Sequence, residues 1–248
     1  MMAPMPYVVV GAVVGACLGS FTATAALRSI RAEQVLVGRS HCESCGETLG
    51  FVRTLPILAY LGQGGACARC GSRIDPLHLV GEVAGAIIVA ASLLAVPAER
   101  AGLLVVLGLL LLSSSLVDAR TQRLPDLLTL AAGVLGVVLA ASRSSFDLLV
   151  GAGAALLTFL VLETLRRGFV MATGKPGLGF GDVKLAAALA VWLGVATPWS
   201  IAIGSGLGLV AIAIKRPANG RLSFGPAIAL AAFGVGLLQE AGTWPQLL

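Results

Sequence analysis

Residues 102–119 read GLLVVLGLLLLSSSLVDA, an unbroken apolar run that ends on a single acid, Asp118. A helix crossing a bilayer needs about 20 predominantly apolar residues, and a carboxylate at the end of such a run is costly enough to be functional by default. The rest of the chain repeats the pattern. Of 248 residues, 57% are hydrophobic and only 12% are charged, and the mean hydropathy is +0.95. Soluble domains carry about a quarter charged residues, and disorder needs low hydrophobicity with high charge. Both classes are excluded, and the 32 glycines show no collagen period. The chain is an all-α polytopic membrane protein.

Eight apolar runs are candidate spans: about 7–27, 79–97, 102–119, 127–142, 147–165, 183–198, 200–214 and 223–241. The sixth and seventh are separated only by Thr197-Pro198-Trp199. The first run is too long for a signal peptide and has no Lys or Arg before it, so a retained helix with its N-terminus outside is expected. On that orientation 15 of the 17 basic residues face the cytoplasm, Lys215, Arg216 and Arg221 among them, leaving Arg100 and Arg143 outside. The basic residues occupy short loops rather than an aromatic-interleaved patch, so no nucleic-acid partner is expected. The expected domains are a first helix over 1–27, a cytoplasmic loop over 28–78 and a membrane domain over 79–248. The segment 166–182, rich in glycine, is expected to be irregular.

The long loop carries Cys42-x-x-Cys45 and Cys67-x-x-Cys70. Paired thiolates at this spacing suit one tetrahedral ion, structural zinc in a zinc-ribbon-like loop, with Gly46 and Gly71 supplying the knuckle turns. Disulfides are the alternative, disfavoured by a reducing compartment. His41 is expected to be a bystander and Cys17 a packing residue. A loop of about 50 residues with few large apolar side chains has no core of its own, which a structural metal would replace.

Asp118 closes the third run and Asp182 opens the sixth, in Gly179-Phe180-Gly181-Asp182-Val183-Lys184. Both fall at the cytoplasmic ends of their helices. If they meet, they share a proton: the charged one activates water and the protonated one polarises a carbonyl. Gly179 and Gly181 would let a substrate strand approach the backbone. The bland alternative is that Asp182 caps its helix. Asp126, after Leu124-Pro125, reads first as a cap, and Glu163 as a charge partner of Arg166 and Arg167 at a helix end. Lys184 is either an inner-face anchor or a bias on Asp182.

Four ordered stretches resemble the type IV prepilin peptidases, membrane aspartyl proteases of the GxGD type. They are Gly19-Ser20-Phe21 with Arg28; Arg39-Ser40-His41-Cys42-Glu43-Ser44-Cys45 with Cys67-Ala68-Arg69-Cys70; Asp118 with Leu124-Pro125-Asp126-Leu127-Leu128-Thr129; and Gly179 to Leu185. The resemblance implies that Asp118 and Asp182 are the catalytic pair, in a bacterial inner membrane with the site near its cytoplasmic face. The implied substrates are prepilins of type IV pili or type II secretion pseudopilins, with membrane lipid as the surroundings. Many members also methylate the new N-terminus from S-adenosylmethionine, an activity associated with the cysteine-bearing region. There the chain departs from the pattern. Ala23 stands where the family has Asn, Glu43 where it has Pro, and Leu77 to Glu82 keep little of the Arg-Tyr-Pro-Leu-Val-Glu stretch beyond Glu82. Arg120 replaces a frequent second acid. Two other readings use the same residues: a proton-coupled transporter with Asp118 and Asp182 as relay groups, and a silent metal-binding scaffold.

Overall fold

A computed structural model describes residues 4–35, 38–175, 177–215 and 223–243. Pro176, Arg216 and Arg221, which entered the loop and charge readings, lie outside the described residues, as do Met1 to Ala3. Among the described residues the regular structure is helical, apart from two isolated β-bridges. The helices are α1 (Met5–Ile30), α2 (Leu58–Gly62), α3 (Pro76–Ala95), α4 (Ala98–Thr121), α5 (Asp126–Arg143), α6 (Ser145–Thr173), α7 (Phe180–Leu193), α8 (Thr197–Lys215) and α9 (Gly225–Glu240). The chain divides into two compact units, Met1–Leu116 and Val117–Leu248, so only the last turn of α4 belongs to the second.

The eight expected runs are all helical, and at one place two of them adjoin closely. Among the described residues six segments are long and apolar enough to cross a membrane, with 180–214 counted as one stretch, and α9 is shorter. α7 has 14 residues, about 21 Å at 1.5 Å per residue, well under a hydrocarbon core of about 30 Å. The break between the sixth and seventh runs also moves. It falls at the 3₁₀ turn Gly194–Ala196, where Gly194 has φ +53°, while Thr197-Pro198-Trp199 forms the first turn of α8. Proline is tolerated in a first turn, so it opens the helix instead of separating two. Large apolar side chains stay exposed on the helix faces, Val9, Val13, Leu149 and Leu156 among them. A soluble surface does not leave such area uncovered.

In the first unit α1 packs along α3 with almost nothing between the backbones. A Cβ added at Gly19 would stand 2.9 Å from the Gly81 carbonyl carbon, and one at Gly85 2.7 Å from the Gly19 Cα. α3 starts cleanly: the Asp75 carboxylate accepts the Leu77 N–H at 2.9 Å and Pro76 fills the first helical position.

The second unit is built around α7, which packs on α5, α6 and α9 and buries Val183, Leu185, Leu189, Trp192 and Leu193. At its C-terminal end a charged group replaces apolar packing. Glu240 accepts hydrogen bonds from Arg143 Nη1 and Trp192 Nε1, both at 3.0 Å, while Arg143 also donates to the Trp192 carbonyl. The Glu240 side chain is 1% exposed, so the ends of α5, α7 and α9 share one buried ion pair. α6 runs eight residues past its expected end at 165, with Glu163 binding Arg166 and Arg167 along the helix at 2.6–2.8 Å. The expected irregular segment therefore shrinks. Such i+3 and i+4 pairs favour helix, and the chain first breaks at Gly174, in the left-handed region with φ +69°.

Candidate functional sites

Asp118 stands in the last turn of α4. The helix is stopped by Gln122, which adopts φ +54° while its N–H donates to the Asp118 carbonyl at 2.8 Å. A left-handed conformation at a non-glycine residue costs about 1–2 kcal/mol, and it turns the chain sharply into Leu124-Pro125 and α5. The Asp118 side chain is buried, and its Oδ2 accepts the backbone N–H of Gly225, the first residue of α9, at 3.1 Å.

Asp182 lies in the first turn of α7. Gly179 holds the capping position and makes no side-chain bond, while the Gly179 N–H is met by the Asp182 carboxylate, as the capping alternative would have it. The Asp182 carboxylate folds back over Gly179, where an added Cβ would stand 2.8 Å from its Oδ2. Asp118 and Asp182 are near enough for their charges to repel. Leu124 is wedged between the two supports. A Cβ at Gly181 would meet Leu124 Cβ at 3.2 Å, and a Cβ at Gly225 would meet Leu124 Cδ2 at 3.0 Å. The structure thus brings Asp118, Asp182, Gly179 and Gly181 to one end of the second unit.

Asp126 does not cap α5; Pro125 holds the capping position without a side-chain bond. The Asp126 carboxylate pairs with Lys184, linking α5 to α7. Lys184 Nζ also sits 5.2 Å from the Phe180 ring centre, and Arg166 Cζ 5.4 Å from it. Two cations near one aromatic ring hold the residue between the motif glycines. Gly225 is absent from the sequence reading, and Leu124 and Phe180 enter it only as motif positions with no role assigned. A Gly-Pro pair at a helix start was the available signal for Gly225.

In the first unit the two cysteine knuckles repeat each other. The Cys42 N–H donates to the Glu47 carbonyl and the Cys67 N–H to the Ser72 carbonyl, both at 2.8 Å, and Gly46 and Gly71 both take φ +70°. The knuckle turns are those the sequence led one to expect. The four sulfurs of Cys42, Cys45, Cys67 and Cys70 all lie within 4.8 Å of one another, and the cysteines are free thiols. Ligands about 2.3 Å from a tetrahedral ion stand about 3.8 Å apart, and Cys42 and Cys70 Sγ are at 3.9 Å. The cluster can hold a metal ion. The backbone N–H groups of Cys45 and Ser44 lower the Cys42 thiol to about 6, while Cys45 beside it is pushed up to about 11, a backbone bond at Glu47 being outweighed by burial and the neighbouring cysteines. His41 stays outside the cluster, its Nδ1 3.1 Å from the Arg39 carbonyl.

Beside the knuckles a cleft opens between α1, the loop and α3, lined among others by Arg31, Arg73, Glu33, Asp75, Tyr60 and Glu82. Glu82, also unforeseen as a structural centre, is buried. It accepts Ser20 Oγ at 2.8 Å and the N–H of Ile57 at 2.6 Å. Ile57 has φ +64°, a strained value for a β-branched residue. Glu43 joins Arg31 at 2.6 Å and His78 Nε2 at 3.4 Å. Burial alone would push its carboxyl up, but those two partners hold it below the usual carboxylate range. Two departures from the family pattern touch: a Cβ at Gly81 would lie 2.6 Å from that of Ala23.

A multi-pass helical membrane protein with two carboxylates brought to one end of one unit and a four-cysteine cluster in the other is thereby defined. Residues 13–96 match the bacterial peptidase A24 N-terminal domain and residues 104–237 match the type IV leader peptidase family, to which the chain belongs. Among curated relatives, a prepilin leader peptidase/N-methyltransferase of Neisseria gonorrhoeae is 32% identical over 202 residues, covering 78% of this chain and 69% of that protein. The protein of the same name from Klebsiella pneumoniae is 36% identical over 157 residues, 62% of this chain and 68% of the relative. A type 4 prepilin-like proteins leader peptide-processing enzyme of Escherichia coli is 30% identical over 204 residues, 81% of this chain and 76% of the relative. No solved structure matches.

Proposed function

We propose that the protein is a membrane aspartyl endopeptidase that removes leader peptides from type IV prepilins or type II secretion pseudopilins, with Asp118 and Asp182 as its catalytic pair. The observation that carries this reading is the meeting of the two acids at one end of the second unit, Asp118 supported by α9 and Asp182 by its own glycine turn. Two adjacent carboxylates hold one proton between them. The charged member takes a proton from water as the water attacks the scissile carbonyl, and the protonated member stabilises the carbonyl oxygen. The short α7 and the exposed Gly179 leave backbone beside the acids for an extended substrate segment. The 15-to-2 division of basic residues supports a site at the cytoplasmic face of the bacterial inner membrane, with lipid against the apolar helix faces.

The four cysteines are read as structural zinc ligands, with the loop over 28–78 as a zinc-stabilised cytoplasmic domain between the first helix and the membrane domain. Zinc would cross-link two knuckles that have little apolar core beneath them. S-adenosylmethionine, when bound, supplies an electrophilic methyl group for the new N-terminal amine. The cleft beside the knuckles fits its zwitterionic amino-acid end in donor chemistry: Arg31 and Arg73 would meet its carboxylate, Glu33 and Asp75 its ammonium. Tyr60 would offer a ring face to the base. These residues would bind and orient the group.

The test is processing of a prepilin leader peptide by purified protein in lipid, followed by mass spectrometry with and without S-adenosylmethionine. Asp118→Asn and Asp182→Asn are expected to lower cleavage by about 10²–10⁴-fold while membrane insertion is kept. Normal cleavage by either variant would refute the aspartyl mechanism. An added methyl that needs S-adenosylmethionine is the expected mark of the second activity.

A further inference from the structure

Asp118 has an environment that its own helix does not explain. It sits in the last turn of α4, where exposed carbonyl groups disfavour a negative charge. Asp182 sits in the first turn of α7, where the exposed N–H groups favour one, and the Gly179 N–H reaches its carboxylate. Left to their own helices, Asp182 would carry the shared charge. The N-terminus of α9 reverses this balance, because it delivers the Gly225 N–H directly to Asp118 Oδ2 at 3.1 Å in a buried setting. A backbone donor to an ionised carboxylate is stronger than one to a neutral acid. The residue at this position must also be small, since a Cβ there would stand 2.8 Å from Asp118 Oδ2 and 3.0 Å from Leu124 Cδ2.

We propose that Gly225 is a positioning residue that holds Asp118 as the charged member of the pair, so that Asp118 is the base and Asp182 the acid. The proposal rests on the aspartyl peptidase reading and assigns its two roles. Asp118 takes a proton from water as the water oxygen bonds to the carbonyl carbon, and Asp182 gives its proton to the carbonyl oxygen. In the collapse, Asp118 returns its proton to the leaving nitrogen as the C–N bond breaks, and one hydroxyl of the intermediate returns a proton to Asp182. One water is consumed and both acids regain their starting states. The charged group bearing on Asp118 is Asp182 from α7, whose neighbour Lys184 is taken up in a pair with Asp126 of α5. On its own helix the nearest is Arg120, and α9 holds no titratable residue before Glu240.

The first test needs no variant. An epoxide reagent esterifies an ionised carboxylate, whose oxygen opens the ring, whereas a diazoacetyl reagent esterifies a protonated carboxyl, taking its proton and losing dinitrogen. In the full protein in lipid, peptide mapping is expected to find the epoxide on Asp118 and the diazoacetyl group on Asp182. The epoxide on Asp182 would overturn the assignment. The second test is Gly225→Ala, whose Cβ forces the carboxylate off the N–H. It is expected to lower kcat by about tenfold with KM within about twofold, and to move the acid limb of the kcat/KM profile up by about one pH unit. Pro226→Ala, which keeps every backbone donor, should leave the limb in place. An equal shift in Pro226→Ala would reduce the effect to packing and defeat the proposal. If Asp118→Asn is inert but Gly225→Ala keeps the parent acid limb, only this inference falls. If Asp118→Asn cleaves normally, the peptidase reading falls with it.

Discussion

Single residues carry more of the first unit than their exposure suggests. Glu82 is an apolar helix's one acid, and it bonds to Ser20 across the α1–α3 seam and to the strained backbone at Ile57. Removing it leaves two part-buried donors without their acceptor, and each such group costs up to about 1–3 kcal/mol. Glu82→Ala is therefore expected to lower the thermal midpoint of the purified protein, and Glu82→Gln to lower it less, because one acceptor oxygen survives. Equal midpoints for Ala and the parent, read by differential scanning fluorimetry, would show that the seam does not depend on this acid. The same acid is legible in the sequence as the survivor of an altered motif. Its partners are not, since Ser20 is 62 residues away and Ile57 is 25.

Whole elements are set by where the chain can break. α6 passes its two arginines because Glu163 binds both along the helix, and it stops at Gly174, which takes a left-handed turn. α7 is short because Gly194 ends it. Its far end is then held by the Glu240–Arg143 pair and the Trp192 indole. Truncating one partner of a buried ion pair leaves the other charge uncompensated, a loss of about 3–5 kcal/mol. Glu240→Ala is expected to destabilise the second unit by that order, read as a lower midpoint of thermal unfolding in detergent. A replacement of both Arg143 and Glu240 by apolar residues should recover much of the loss. No recovery would mean that the charge itself, rather than its pairing, supports the helix ends.

At the scale of the whole molecule, the chain's two units place their chemistries apart in sequence. The thiolate cluster and the cleft lie within Met1–Leu116, and the acid pair lies within Val117–Leu248. Metal loss should therefore act first on the loop. Purified protein is expected to carry one zinc per chain by elemental analysis, and chelation or Cys42→Ser to open the 38–75 segment to proteolysis. Fragments from the second unit should persist under the same digestion. Fully active, protease-resistant protein with no bound metal would sink the structural-zinc reading.

Composition and run length alone determine that this chain is helical and membrane-spanning, because a bilayer tolerates no unpaired backbone and admits little charge. The four-cysteine spacing likewise prescribes the two knuckles, since each turn is closed by its own neighbours and a glycine. Asp118 and Asp182 stand out in the sequence because acids in apolar runs are rare. Which groups surround them is a different kind of information. The N–H on Asp118 comes from Gly225, 107 residues further along, and the wedge between the two acids' supports is Leu124, whose place in a motif does not say what it packs against. No local pattern encodes such contacts. They arise only when α4, α7 and α9 are packed, because a backbone donor has no side chain to advertise it and a glycine reveals its necessity only through the neighbour it lets in.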